Sequence, residues 1–423
     1  MDQMFYPVQL SGSVAAPASK SEAHRRMICA GLAAGESVLD GFMESEDMKA
    51  TRNCLQALGA AVTVNGDRLT IRGCEEKRPG QPVMDCGESG STLRFFVPVA
   101  MTRAGGGVFR MHGRLGSRPM DIYRDLFVPQ GTRWNLGIGA DGVAELHVSG
   151  RMVPGDYQLP GNVSSQFVSG LLFALPMLEA DSTLTVLPPV ESAGYIRMTI
   201  RALEEDGIRI EERGPWSWAI PGNQRYHGGS GRLHGDYSQA AVLLCAAALG
   251  NPITVTGLSR ETTQGDRAVL KCLRALGASV TEDADGITVR AERLRGTELD
   301  LHDCPDIAPM LALVCQLAEG ESLLNGCGRL RLKECDRLTA TADLLNALGG
   351  NVRVEKDAMR ITGVSGLRGG VAVDTCADHR MVMLASIAAL RCDAPITVNH
   401  VETLAKSWPD YLRVYRALGG RAE

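Results

Sequence analysis

One phrase returns along this chain at a nearly fixed interval, and that return constrains the fold more than composition does. Ala57–Gly73 reads ALGAAVTVNGDRLTIRG, Ala275–Ala291 reads ALGASVTEDADGITVRA, and Ala347–Gly363 reads ALGGNVRVEKDAMRITG. A looser copy, ALEEDGIRIEERGPWSWAIPG, starts at Ala202, and a shortened one, ALGGRAE, starts at Ala417. The starts lie roughly 70 residues apart, with one double interval between Ala57 and Ala202. Inside that gap Leu126–Gly150, LFVPQGTRWNLGIGADGVAELHVSG, is a degenerate copy. The chain is a sixfold repeat.

Each copy follows a stretch whose apolar residues fall three and four apart, such as Asp47–Leu58, Asp266–Leu276 or Asp336–Leu348. That spacing predicts an amphipathic helix, and the Gly after Ala-Leu predicts its stop. The phrase itself alternates on both sides of a turn, Asn65-Gly66-Asp67 or Ala284-Asp285-Gly286, which predicts a hairpin. A second helix opens on small polar residues: Ser19-Lys20-Ser21, Glu88-Ser89-Gly90-Ser91, Ser164-Ser165-Gln166, Asp236-Tyr237-Ser238, Asp306, and Asp378-His379-Arg380. A strand follows each, as in SVLDGF and STLTVLP. The class is therefore α/β. No such unit buries its own sheet and helices, so units must pack together. Three per lobe gives two domains of ordinary upper size. The loose stretch Pro221–Gly235 marks the boundary, and an N-terminal strand at Val8–Val14 is expected to complete the other lobe. The expected division is residues 1–14 with 233–423, and 15–232.

At 423 residues and 44% apolar content, the chain can build two cores. The net charge of −5 and the lack of a basic run point away from nucleic acid. No apolar stretch suits a membrane span, and MDQMFYPVQLSG lacks the order of a signal peptide. Twelve cysteines without a C-x-x-C pair favour reduced thiols in the cytoplasm. Eight histidines show no paired ligand spacing, so no metal is expected. Gly137–Gly142, GIGADG, mimics a dinucleotide fingerprint, but a strand follows it, which makes it a hairpin turn.

Helix openings carry unpaired N–H groups and a partial positive charge, which suit an anion. Lys20, Ser21 and Arg25 sit at one such opening, and an N-cap with a solvated lysine is the plain alternative. Gly90 permits close backbone approach, Arg118 lies in a basic loop before a helix, and Ser164, Ser165 and Gln166 offer hydroxyls and an amide. Ser192 and Tyr195 stand at another helix start. In the second half Asp306 has an N-cap as its bland alternative, and Lys333, Glu334 and Arg337 crowd into five residues. A helix start disfavours such cations, so the cluster is informative. Arg380 and Lys406 again place a cation near a helix opening. If the openings of both lobes face one another, they form a cleft for a highly anionic ligand.

The phrases SKSEAHR, ESGSTLR, GSRPMD, SSQF, PDIAPM, LKECDR, DHRM and AKSWPDY, in this order along the whole chain, resemble the 5-enolpyruvylshikimate-3-phosphate synthase family. The resemblance implies a two-lobed inside-out α/β barrel of six βαβαββ repeats, closing on shikimate 3-phosphate and phosphoenolpyruvate. It also implies a cytoplasmic monomer without cofactor. Lys20 would touch both substrates. Ser21, Arg25, Ser164, Ser165, Gln166, Ser192 and Tyr195 would hold shikimate 3-phosphate, with Asp306 and Lys333 close to it. Gly90, Arg118, Gln166, Arg337, Arg380 and Lys406 would bind phosphoenolpyruvate. Asp306 would take the hydroxyl proton, and Glu334 would protonate the enol methylene. Arg329 stands where some members carry Asn and is assigned no contact. Ser91 occupies a Thr position of some members.

Two rival readings differ from this one. The related transferase acting on UDP-N-acetylglucosamine usually carries a Cys in the loop matching His112–Arg118. Here no Cys occurs between Cys86 and Cys245, and Ser rather than Asn follows Lys20. A non-enzymatic repeat protein, such as a nucleic-acid clamp, conflicts with the acidic charge and with the pair Asp306 and Glu334.

Overall fold

The repeated phrase folds as its alternation predicts. In the first copy Ala61–Asn65 pairs antiparallel with Arg68–Arg72, with Asn65 opposite Arg68 across the turn. The preceding helix, Glu46–Leu58, ends at Gly59, which takes the left-handed conformation at φ 108°. The same helix–hairpin order recurs at Ala202, Ala275 and Ala347.

The computed structural model describes residues 1–74 and 80–423. They divide into two units, Met1–Pro17 with His234–Glu423, and Ala18–Leu233. The second of these contains helices α1 (Lys20–Leu32), α2 (Glu46–Leu58), α3 (Gly90–Ala104), α4 (Asp121–Phe127), α5 (Ser165–Ala174) and α6 (Ala193–Glu205). The unit with both chain termini contains α7 (Tyr237–Leu249), α8 (Ala268–Ala275), α9 (Ala308–Gln316), α10 (Arg337–Ala347), α11 (His379–Ala388) and α12 (Tyr411–Ala417).

Each repeat makes one small sheet with a fixed plan. Val83–Asp85 runs parallel to Gly106–Met111 after the crossover through α3. Gly106–Met111 pairs antiparallel with Ala144–Ser149, which pairs with Arg133–Ile138. The plan is βαβαββ, since only a helix-length crossover can join neighbouring parallel strands. Five sheets have four strands, and the sixth has three. All six stay open among the described residues. The strands are short, and five sheets end on their own hairpin, while in the sixth Gln3–Phe5 takes that place beside Ile396–Val398, so no barrel closes.

Two first strands lie apart from the helices they lead into. Gly12–Ala15 pairs parallel with Ile253–Thr256, although the chain runs from it directly into α1. Gly231–Arg232 pairs parallel with Glu36–Asp40, although it leads into α7. The strand expected at Val8–Val14 is confined to Gly12–Ala15, and a separate strand, Gln3–Phe5, precedes it. Between them Pro7 has no N–H to give a ladder, and the Ser11 N–H leaves for the Leu418 carbonyl at the end of α12.

Helices lie inside and sheets outside. All thirteen residues of α7 and all nine of α9 are buried. Their sequences, YSQAAVLLCAAAL and APMLALVCQ, are apolar nearly all round, as a surrounded helix requires. By contrast α8 buries only Val269, Leu270, Cys272 and Leu273, one stripe of an amphipathic helix. The strands bury alternate residues, such as Tyr157 and Leu159 in Asp156–Pro160, and turn the others outward. None of the helices among the described residues is long and apolar enough to cross a membrane. No group of His, Cys, Asp and Glu among them suits a metal ion, and no disulfide joins two cysteines among the described residues.

The inner helices approach closely where a side chain is missing. A Cβ on Gly170 of α5 would lie 2.2 Å from the Tyr123 hydroxyl and 2.3 Å from the Arg94 carbonyl oxygen of α3. That hydroxyl lies 2.9 Å from the Arg94 carbonyl and 2.8 Å from the Phe167 carbonyl, so it cannot yield without losing them. Gly170→Ala is therefore expected to cost about 3 kcal/mol of stability. Urea unfolding would show this as a lower midpoint at unchanged slope. An unchanged midpoint would mean that α3 and α5 have room to part.

Candidate active site

In the unit that holds both termini, the starts of α7, α9, α10 and α11 carry the polar groups of an otherwise apolar interior. Asp236, Asp336 and Asp378 cap three of them, accepting from the N–H groups of Gln239, Thr339 and Arg380. The fourth start differs. Pro305–Ile307 forms a 3-10 turn ahead of α9, and Asp306 caps nothing there. Its carboxylate turns instead to Lys333 Nζ at 3.0 Å and Arg337 Nη1 at 3.1 Å.

Arg337 is the centre of this cluster. It is the first residue of α10, and its side chain is 3% exposed. Nε donates to Asp378 Oδ2 at 2.7 Å, and Nη2 donates to Glu334 Oε2 at 2.6 Å and to Asp378 Oδ1 at 3.2 Å. Lys406, at the end of the 3-10 turn Val401–Lys406, lies 3.7 Å from the other Glu334 oxygen. Arg380 donates to the Asp306 carbonyl at 3.2 Å and to Ser238 Oγ in α7 at 2.6 Å. The structure thus assembles Asp306, Lys333, Glu334, Arg337, Arg380 and Lys406 in one place.

The charges act on one another strongly. Burial opposes ionisation of Asp306, but Lys333, Arg380 and Arg337 override it and hold the carboxyl far below the ordinary range. Burial pushes Lys333 below its usual value against the pull of Asp306, and Arg329 and Arg337 add to that push. Burial works against the Arg337 cation too, yet Asp378, Glu334 and Asp306 raise its affinity for the proton. Burial also opposes the Asp378 charge, and Arg337 still keeps it below the carboxylate range. Asp378 was legible only as a helix opening. Its role in fastening Arg337 left no sequence signal beyond its place ahead of α11.

In Ala18–Leu233 the residues fall into smaller groups. Ser19 caps α1, and Lys20 at its first position pairs with Asp47 of α2 at 2.6 Å. Arg25, 3% exposed, donates to Thr199 Oγ1 at 2.7 Å and to the carbonyls of Ser21 and Tyr195 at 2.7 and 3.1 Å. Its guanidinium lies 5.2 Å from the Phe95 ring centre and 5.8 Å from that of Tyr195. Burial pulls it down to about 10, still far above neutrality, so it remains a cation. Ser192 precedes α6 in the left-handed region at φ 54°, a conformation a non-glycine residue adopts only under constraint.

Gly90 opens α3 beside Arg118, and a Cβ there would meet Arg118 Nη1 at 2.7 Å. Gln166, in the first turn of α5 behind its cap Ser164, accepts from Arg94 Nη1 at 2.6 Å and donates to Ser91 Oγ at 2.8 Å. Ser165 is the buried first residue of that helix. Asp47 and Arg94, which hold Lys20 and Gln166, escaped the sequence reading. Acidic first-turn residues and buried arginines are common, and neither spacing singles these two out.

Comparison with known proteins bears on the whole chain. The family profile EPSP synthase (3-phosphoshikimate 1-carboxyvinyltransferase) matches residues 6–415. The 3-phosphoshikimate 1-carboxyvinyltransferase of Clostridioides difficile (strain 630) is 38% identical over 99% of this chain and 97% of its own length. That of Clostridium botulinum (strain Alaska E43 / Type E3) is 39% identical over 98% and 96%. Among solved structures, EPSP synthase from Acinetobacter baumannii superposes with a TM-score of 0.82 at 23% identity, covering 100% and 99% of the two chains. That last likeness establishes the fold. The fold and the full-length identity to curated relatives together place this chain in the EPSP synthase (3-phosphoshikimate 1-carboxyvinyltransferase) family.

Proposed function

We propose that this chain transfers the enolpyruvyl group of phosphoenolpyruvate to the 5-hydroxyl of shikimate 3-phosphate and releases phosphate. Membership of the family supports the reaction, and one observation carries the mechanism. Two carboxylates, Asp306 and Glu334, lie within a single knot of buried cations, both bonded to Arg337. An acid and a base beside a site for anions are what an addition–elimination requires.

In this reading Glu334 delivers a proton to the methylene of phosphoenolpyruvate, and the neighbouring carbon becomes cationic. The sugar hydroxyl attacks that carbon and gives up its proton to Asp306, with Lys333 at hand to stabilise the charge. Loss of phosphate and of a methyl proton from the tetrahedral adduct restores the double bond. Arg337 and Lys406 lie against the Glu334 carboxyl, and substrate phosphate and carboxylate engage those same cations. Arg380, Arg118, Gly90, Gln166 and Lys20 complete the phosphoenolpyruvate site. Lys20, Ser21, Arg25, Ser164, Ser165, Gln166, Ser192 and Tyr195 hold shikimate 3-phosphate. No step calls for a metal or an organic cofactor. We assign the enzyme to the cytoplasm, on twelve cysteines without a C-x-x-C pair, and as a monomer.

Purified protein is expected to release phosphate from phosphoenolpyruvate with shikimate 3-phosphate and not with UDP-N-acetylglucosamine. Turnover with the nucleotide sugar alone would reassign the acceptor within the same fold, and silence with both would remove the enzymatic reading. Asp306→Ala and Glu334→Ala are each expected to lower kcat by about 10²–10⁴-fold. Shikimate 3-phosphate, titrated by calorimetry, should still bind Glu334→Ala. Near-normal kcat in either variant would move the acid–base roles to other residues.

A further inference from the structure

Below the start of α3 lies a row of buried polar groups that the mechanism does not use. His24 of α1 places Nδ1 2.7 Å from Thr51 Oγ1 of α2. Thr51 Oγ1 lies 2.8 Å from Thr92 Oγ1 of α3, and the Thr92 hydroxyl donates to Ser89 Oγ at 2.8 Å. His24 and Ser89 are each 1% exposed, and the two threonines are 0% exposed. Ser89 is the N-cap of α3 and stands directly before Gly90.

The proton order along this row is determined by one bond. Each hydroxyl has a single hydrogen. Thr92 gives its hydrogen to Ser89, so Thr51 must donate to Thr92, and His24 Nδ1 must donate to Thr51. His24 is then the Nδ1–H tautomer, with Nε2 a bare acceptor. Nε2 is indeed buried without a hydrogen-bond partner among the described residues. Burial, with the Lys20 and Arg25 cations close by, holds the imidazole well below its ordinary value and keeps it neutral. At the far end Ser89 accepts from the Thr92 hydroxyl and from the Thr92 N–H at 3.3 Å. Its own hydrogen is left at the open end of the row, beside Gly90.

We infer that His24, acting through Thr51 and Thr92, is a positioning residue for the phosphoenolpyruvate end of the site. The relay ties the second turns of α1 and α2 to the first turn of α3. Lys20 and Asp47 each stand four residues before His24 and Thr51 on the same helix face, and Gly90 stands two before Thr92, so their spacing follows from the relay. In a dry interior a directed chain of hydrogen bonds strengthens itself, and breaking one link leaves a buried polar group unsatisfied. The inference rests on the functional reading above for its substrate and on the relay alone for its proton order.

Thr51→Val removes the central link at nearly constant volume, and Thr51→Ser keeps the hydroxyl. Thr51→Val is expected to raise the KM for phosphoenolpyruvate about tenfold while changing kcat less than about twofold, and Thr51→Ser is expected to restore it. Equal loss in the valine and serine variants, or an unchanged KM in the valine variant, would overturn the positioning role. Nitrogen NMR of labelled histidine in the intact protein reads the proton order independently of activity. The expected spectrum shows His24 as the neutral Nδ1–H tautomer from about pH 5 to about pH 8. An Nε2–H tautomer, or titration inside that range, would overturn the relay. If the protein turned over neither substrate pair while the tautomer matched, the functional reading would fail and the relay would stand.

Discussion

A helix that is apolar on every side has to be covered on every side, and α7 and α9 impose that demand here. Neither can face water, so sheets and amphipathic helices from three repeats must surround them. The strands accordingly alternate, one face toward the helices and one toward solvent. The close approach of α5 to α3 at Gly170 shows how tightly the inner layer packs. With their sides sealed by apolar residues, α7 and α9 keep their uncharged polar side chains at their ends. Caps and carboxylates gather at the helix starts because four N–H groups there need acceptors, and the cations pair with the carboxylates.

The two units meet this need differently. Around α10 the solution is ionic: Arg337 lies almost wholly buried against Asp306, Glu334 and Asp378. Burying such charges is costly, and a cluster of this kind is poor evidence for stability on its own. In the mechanism proposed above its value lies in holding Asp306 and Glu334 at a fixed spacing. Around α3 the solution is neutral, a row of hydroxyls ending on an imidazole held uncharged by burial. Neutral links suit a place where Lys20 and Arg25 already supply positive charge. In both cases side chains distant in sequence set the geometry of the first helical turn.

Much of the candidate site was legible because it follows the repeat. Lys20, Gly90, Ser164, Asp306 and Arg380 all stand at helix openings that recur with the phrase. Lys333, Glu334 and Arg337 stand out because two cations and an acid crowd where a helix dipole repels cations. The residues that hold them were not legible. Asp378 reads as an ordinary cap, Asp47 as an ordinary first-turn acid, and Thr51 and Thr92 as small polar residues on helices. Each gains its meaning from a partner on another element. Asp306 also differs from its bland reading, because a 3-10 turn intervenes and frees its carboxylate from capping.

Periodicity and punctuation alone determined the six repeats, the helix–hairpin order and the α/β class. These depend on local alternation, on helical spacing and on glycine stops, all of which are written in consecutive residues. Only the tertiary structure decided which first strand joins which sheet, that the strand expected at Val8–Val14 begins only at Gly12, and which partners fix each charge. Parallel pairing of Gly12–Ala15 with Ile253–Thr256 joins segments with no local relation. The bonds from His24 to Thr51 and from Thr51 to Thr92 span 27 and 41 residues. Such contacts depend on side-chain direction and distance after packing, and a linear pattern carries neither.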